Sequence, residues 1–220
     1  MEPRTPADRP AARALIAAIA VLAMSGITSF AGNVLISLHF PDRPRPQDLL
    51  LELFPTSAVA QYVTEVAIIS SFVVLLSYGV RYARTQIPDI IAIFGIMYLI
   101  RSVLMVLTPF ASAYTGTGHF GLIPLDQLGM FPSGHVAASL LCMLLIDSRK
   151  APVLKRLALV LMLIQWVAIL LSHAHYSIDI AGGILLGLFV DREWRYGTLF
   201  TPVKRLMGYR TEPATDSAAA

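Results

Sequence analysis

An apolar run of about 20 residues with few charges crosses a bilayer as a helix, and few features restrict a fold as firmly as several such runs in one chain. This chain has long ones at 15–38, 59–80 and 90–107, and shorter ones at 136–146 and 157–171. The hydrocarbon core offers no water, so each segment must satisfy its own backbone N–H and C=O groups, and a continuous apolar run does so as a helix. Charged residues make up 14% of the 220 residues, against about 25% in a soluble domain. The expectation is an all-α integral membrane bundle of about six transmembrane helices, at 14–38, 57–80, 88–108, 132–147, 154–172 and 173–190. Residues 1–13 are expected as a cytoplasmic segment, 14–190 as the membrane-embedded domain and 191–220 as a cytoplasmic, partly disordered tail. The fourth and sixth spans are short, as suits helices that stop at a site within the membrane.

A pI near 9.2 would suit a nucleic-acid partner, but the cations lie in short clusters between apolar runs, so none is expected. Arg4, Arg9 and Arg13 precede the first run, and Arg81 and Arg84 follow the second. Arg149, Lys150, Lys155 and Arg156 join the fourth span to the fifth, and Arg192, Arg195, Lys204 and Arg205 follow the sixth. The positive-inside rule makes all of these cytoplasmic, with both termini inside. Residues 109–131 contain no Lys or Arg and belong outside. Arg43 and Arg45 would also lie outside, offset by Asp42, Asp48 and Glu52. The proline-rich stretch 41–55 carries Leu49, Leu50, Leu51, Leu53 and Phe54 and is expected to lie in the membrane interface. Cys142 is the one cysteine, so no intramolecular disulfide can form.

Two short segments carry chemistry. Phe131-Pro132-Ser133-Gly134-His135 stands at the outer start of the fourth span, where proline suits a first helical turn and exposed N–H groups attract anions. His135 in that turn can face whatever phosphate those N–H groups hold; the alternative is a plain helix cap with an interfacial histidine. The second segment is His173-Ala174-His175-Tyr176-Ser177-Ile178-Asp179. A spacing of i, i+4 puts His175 and Asp179 on one helix face. The carboxylate can then fix the imidazole tautomer and leave the other ring nitrogen as nucleophile or base. An aspartate inside a bilayer costs about 2.5–3.5 kcal/mol on insertion scales, so packing alone would rarely keep it. His173 is the weaker candidate.

Arg101 and Glu65 lie inside the third and second spans. Arg101 can grip phosphate oxygens bidentately, can snorkel to the surface, or can pair with Glu65 at similar depth. His119, His135 and His175 lack zinc-ligand spacing and no P-loop is present, so neither metal nor cofactor is expected. A transporter, the other class that would hold buried charges, should spread them through the full depth of the membrane, whereas these gather toward one face.

Together these elements resemble the type 2 phosphatidic acid phosphatase superfamily, through the Pro-Ser-Gly-His turn and the later His-x-x-x-Asp, and within it the sphingomyelin synthase branch. The branch likeness is carried by Pro44-Arg45-Pro46-Gln47-Asp48-Leu49-Leu50-Leu51-Glu52-Leu53-Phe54-Pro55, by Arg101 in the third span and by Glu65 in the second. Where the phosphatases have Lys-x6-Arg-Pro, this chain reads Arg101-x6-Thr108-Pro109. The loop 109–131 is shorter than in the animal synthases. The resemblance implies a lipid phosphotransferase that moves a phospho-headgroup from a membrane phospholipid to a lipid alcohol, ceramide or diacylglycerol, with a lipid hydrolase as the alternative. It implies that His175, oriented by Asp179, attacks phosphorus, that His135 exchanges the proton, and that Arg101, Ser133 and Gly134 bind the phosphate. Glu65 would position acceptor or headgroup. The active site would lie on the outer face of the cell membrane.

Overall fold

The computed structural model describes residues 11–114 and 129–209. The expectations that fall on Arg4, Arg9, His119 and the tail 211–220 lie outside the described residues. Among those described, every regular element is a helix: α1 (Ala11–His39), α2 (Leu49–Leu53), α3 (Ala58–Tyr82), α4 (Ile87–Leu107), α5 (Gly134–Leu145), α6 (Pro152–Leu171), α7 (Ser177–Tyr196) and α8 (Thr201–Leu206), with a 3-10 turn at Arg84–Gln86. The termini follow local chemistry. Ser57 caps α3 by accepting from the Ala60 amide, and proline occupies the first turns of α4, α6 and α8, where its missing N–H costs no hydrogen bond.

Four helical stretches are long and apolar enough to cross a membrane: Ala11–His39, Ala58–Tyr82, Arg84–Leu107 and Pro152–Leu171. Their outward faces carry Ile16, Ile27, Phe30, Val59, Val66, Leu76 and Val167, all exposed, a surface that water would not tolerate and lipid would. The chain is therefore a membrane protein. The remaining two spans of the expected six differ in kind. α5 has 12 residues, about 18 Å of helix, against a core of about 30 Å. α7 has 20 residues, but Asp179, Asp191, Arg192, Glu193 and Arg195 interrupt it.

α5 is the hub, packed against α3, α4, α6 and α7, while α1 leans on α4 at the edge. Ala137, Ala138, Leu141 and Cys142 of α5 are fully buried in the main core. Glycine sets the closeness of α7. A Cβ at Gly183 would lie 2.7 Å from Ser133 O, and one at Gly187 3.0 Å from Leu140 Cδ2, so the small-xxx-small pair lets α7 lie directly on α5.

Candidate active site

α5 and α7 start side by side, and their first turns carry the two motifs. Ser133 is the N-cap of α5; its Oγ accepts from the Val136 amide at 3.4 Å. Its own N–H donates to Asp179 O at 3.0 Å, which ties the Ser-Gly-His turn to the first turn of α7. Ser133 and Asp179 are both fully buried.

His175 and Asp179 do meet, but not on one face of a helix. α7 begins at Ser177 with Tyr176 as its N-cap, so His175 precedes the helix and Asp179 is its third residue. Asp179 Oδ2 accepts from the Tyr176 amide at 3.0 Å and lies 3.3 Å from His175 Nδ1. A capping carboxylate thus also takes the imidazole N–H, which leaves Nε2 with its lone pair. Asp179 Oδ1 is buried without a hydrogen-bond partner among the described residues. The His135 ring stands 6.3 Å from the His175 ring, centroid to centroid. His135 is exposed and makes no hydrogen bond among the described residues, whereas His175 is buried. One ring is anchored and the other is open, a division that suits a nucleophile and a proton carrier.

Arg101 joins this group by a route that its sequence position does not reveal. Nε donates to Pro132 O at 3.0 Å and Nη2 to Gly129 O at 2.6 Å, with Nη1 3.7 Å from Met105 Sδ. The guanidinium clasps the turn leading into α5 and is not paired with Glu65. Gly134 makes room for it, since a Cβ there would sit 3.1 Å from Arg101 Nε. Two of the five N–H donors are taken by carbonyls, and the fork keeps others for an anion. Glu65 is half-buried on α3, which packs against α5 and α6; it makes no bond to His135, His175 or Arg101. Among the described residues, no three His, Cys, Asp or Glu side chains gather as metal ligands.

Asp48 is the residue that sequence reasoning missed. Its Oδ1 accepts from the amides of Leu50 and Leu51 at 3.0 and 3.3 Å and so caps α2. Its Oδ2 accepts from Ser177 N at 2.6 Å and Ser177 Oγ at 2.9 Å, and so holds α7 as well. Burial alone would raise the Asp48 pKa, but the bonds from Ser177, Leu51 and Leu50 outweigh it and hold the carboxyl below its ordinary value. His173 shares this duty, its Nε2 2.9 Å from Phe54 O and its Nδ1 3.1 Å from Thr56 Oγ1. The stretch 44–57 is thereby fastened over the turn that carries His175. An aspartate just before a leucine run was the available sign of a cap; its second helix lies 129 residues on.

A family model described as AtPDCT1/2, the phosphatidylcholine:diacylglycerol cholinephosphotransferase family, matches residues 65–193. The chain belongs to this family. A comparison with curated proteins finds no match. Membership of the cholinephosphotransferase family corrects the likeness to the sphingomyelin synthase branch of the phosphatidic acid phosphatases. The proline-rich stretch 44–55, which set that branch apart, lies outside the match, whereas Glu65, Arg101, Ser133-Gly134-His135 and His175-x-x-x-Asp179 lie within it. The short motifs are therefore compatible with more than one transferase family. The match is consistent with a membrane enzyme that transfers a lipid headgroup, and it gives no support to a sphingolipid acceptor or to hydrolysis.

Proposed function

We propose that this protein transfers phosphocholine from a phosphatidylcholine-type donor to a diacylglycerol-type alcohol through a phosphohistidine. The observation that carries the reading is the buried His175–Asp179 pair with the open His135 ring beside it, inside a cholinephosphotransferase match. In the first half-reaction His175 Nε2 attacks phosphorus. A P–N bond forms, the P–O bond to the donor's glycerol breaks, and protonated His135 gives its proton to the leaving alkoxide. In the second, the acceptor hydroxyl attacks phosphorus as His135 removes its proton, and the P–N bond breaks. Asp179 holds the tautomer and stabilises the cationic ring. The remaining Arg101 donors and the first amides of α5 stabilise charge on the phosphoryl oxygens, and Glu65 positions headgroup or acceptor.

The deciding experiment uses purified protein in vesicles with choline-labelled phosphatidylcholine and a diacylglycerol of distinct chain length. New labelled phosphatidylcholine with the acceptor's chains is the expected product. Release of free phosphocholine at a rate indifferent to diacylglycerol would end the transferase reading.

In the same reading α5 and α7 complete six membrane-embedded helices, both termini are cytoplasmic, and the His135–His175 end faces outward. The basis is the cation-free loop 109–131 and the basic clusters at the other end. With Cys142 replaced, Thr117→Cys should react with an impermeant maleimide from outside and Lys150→Cys should not. The reverse labelling pattern would invert the orientation.

A further inference from the structure

The end of the bundle remote from His135 and His175 holds a cavity of about 680 Å³, within the range of small-molecule sites. It forms where α3, α5 and α7 end and where α4 and α6 begin, and it shares no residue with the site above. Four basic residues line it, Arg149, Lys155, Arg195 and Lys204, against the carboxylates Asp89 and Asp147. One of those carboxylates accepts a hydrogen bond from Tyr209 Oη at 2.7 Å.

Three of the cations are fixed in place. Lys155 Nζ donates to Met143 O at 2.6 Å and Arg195 Nη2 to Leu144 O at 3.1 Å, while Lys204 Nζ donates to Trp194 O. Each meets carbonyls near a helix C-terminus, where partial negative charge gathers. That role accounts for their position, and Arg195 Nε also donates to both carboxylate oxygens of Asp191; an ammonium has three N–H donors, so one carbonyl leaves donors on Lys155. It does not account for Arg149, which is exposed and whose guanidinium makes no hydrogen bond or ion pair among the described residues. Preorganised cations around a hollow, with Ile90, Ile93 and Trp194 forming an apolar part of the wall, match the way basic pockets between membrane helices hold phosphorylated headgroups.

We propose that this cavity binds a phosphate group, that of an anionic phospholipid headgroup. Arg149 and Lys155 meet the phosphate oxygens, and the apolar wall takes the glycerol portion. The proposal does not depend on the transfer reaction.

Hydrogen–deuterium exchange on the full chain in an uncharged detergent tests it, with short-chain phosphatidate, inorganic phosphate or short-chain phosphatidylcholine added. Phosphatidate should protect the amides of 144–149 and 194–196 at a concentration at least tenfold below that needed by phosphatidylcholine. Arg149→Glu should raise that concentration tenfold or more with no change in thermal midpoint. Lys155→Gln, which keeps an amide donor for Met143 O, should raise it less. Equal protection by inorganic phosphate would support the phosphate site and assign it to a soluble anion. The proposal is overturned if neither phosphate compound protects these amides, if phosphatidylcholine protects them equally well, or if Arg149→Glu leaves the protection unchanged.

Discussion

α5 and α7 lie against each other, and their two ends are finished with opposite charge. Where they begin, oxygens of Ser133, Asp179 and Asp48 accept from amides; where they end, Lys155, Arg195 and Lys204 donate to carbonyls. The helix dipole asks for this polarity at each end. The ends differ in what remains once the backbone is satisfied. At the start, the His135 ring and Nε2 of His175 are left over, two groups able to move a proton or attack phosphorus. At the finish, the cations Arg149 and Lys155 keep donors that no carbonyl takes, able to hold an anion but not to react with one. A charged residue near a membrane thus says little by itself, and the capacity left after capping says more.

The sharpest way to break this contrast is to remove the proposed nucleophile. His175→Ala should abolish transfer while thermal stability holds, because among the described residues the ring is bonded to Asp179 alone; retained turnover in folded protein would dismiss the covalent mechanism. Asp179→Asn should lower kcat on the order of 10⁴-fold, as when the carboxylate behind a catalytic histidine becomes an amide. Arg101→Lys comes next. It keeps the charge but not the fork that reaches both Pro132 O and Gly129 O, and a loss of about 10²–10³-fold in kcat is expected. Near-normal activity would reduce Arg101 to a cation that holds the turn before α5 and does not grip the phosphate.

At the other end the effects should fall on stability. Lys155→Leu strands Met143 O and should cost about 1–3 kcal/mol, seen as a lower thermal midpoint with an unchanged KM. The smallest effect belongs to Asp48. Asp48→Ala should cost about 0.5–2 kcal/mol through the lost caps. The Asp48 pKa is depressed in the folded protein, so its contribution is full above the ordinary carboxylate pKa and is lost as pH falls through the lower folded value. Protection of the amides of Leu50, Leu51 and Ser177, measured against their intrinsic exchange rates, should therefore fall on acidification in the native protein and show no such step in Asp48→Ala.

The apolar runs made α1, α3, α4 and α6 legible to within three residues, because a bilayer leaves a continuous run one structure to adopt. α5 and α7 were harder. The fourth span was expected at 132–147, yet the helix covers Gly134–Leu145, since Pro132 and Ser133 form the turn and cap. The pairing of His175 with Asp179 was legible, but its geometry was not, because an i, i+4 spacing reads alike across a cap and along a helix. Arg101's partners are carbonyls 28 and 31 residues away, and backbone oxygens carry no residue identity for a sequence pattern to expose. Asp48 was hidden for a related reason. Its link to Ser177 depends on how the stretch 44–57 lies across the bundle, and only the packed helices decide that.

The bond from Ser133 N–H to Asp179 O has a consequence for how such a protein can change over time. It joins the turns before α5 and at the start of α7 through main chain alone, so exchanging either side chain leaves the link intact. Of the 20 common residues, only proline at 133 would take away the donor. A side chain at either turn can therefore change while the register between the turns is inherited unchanged.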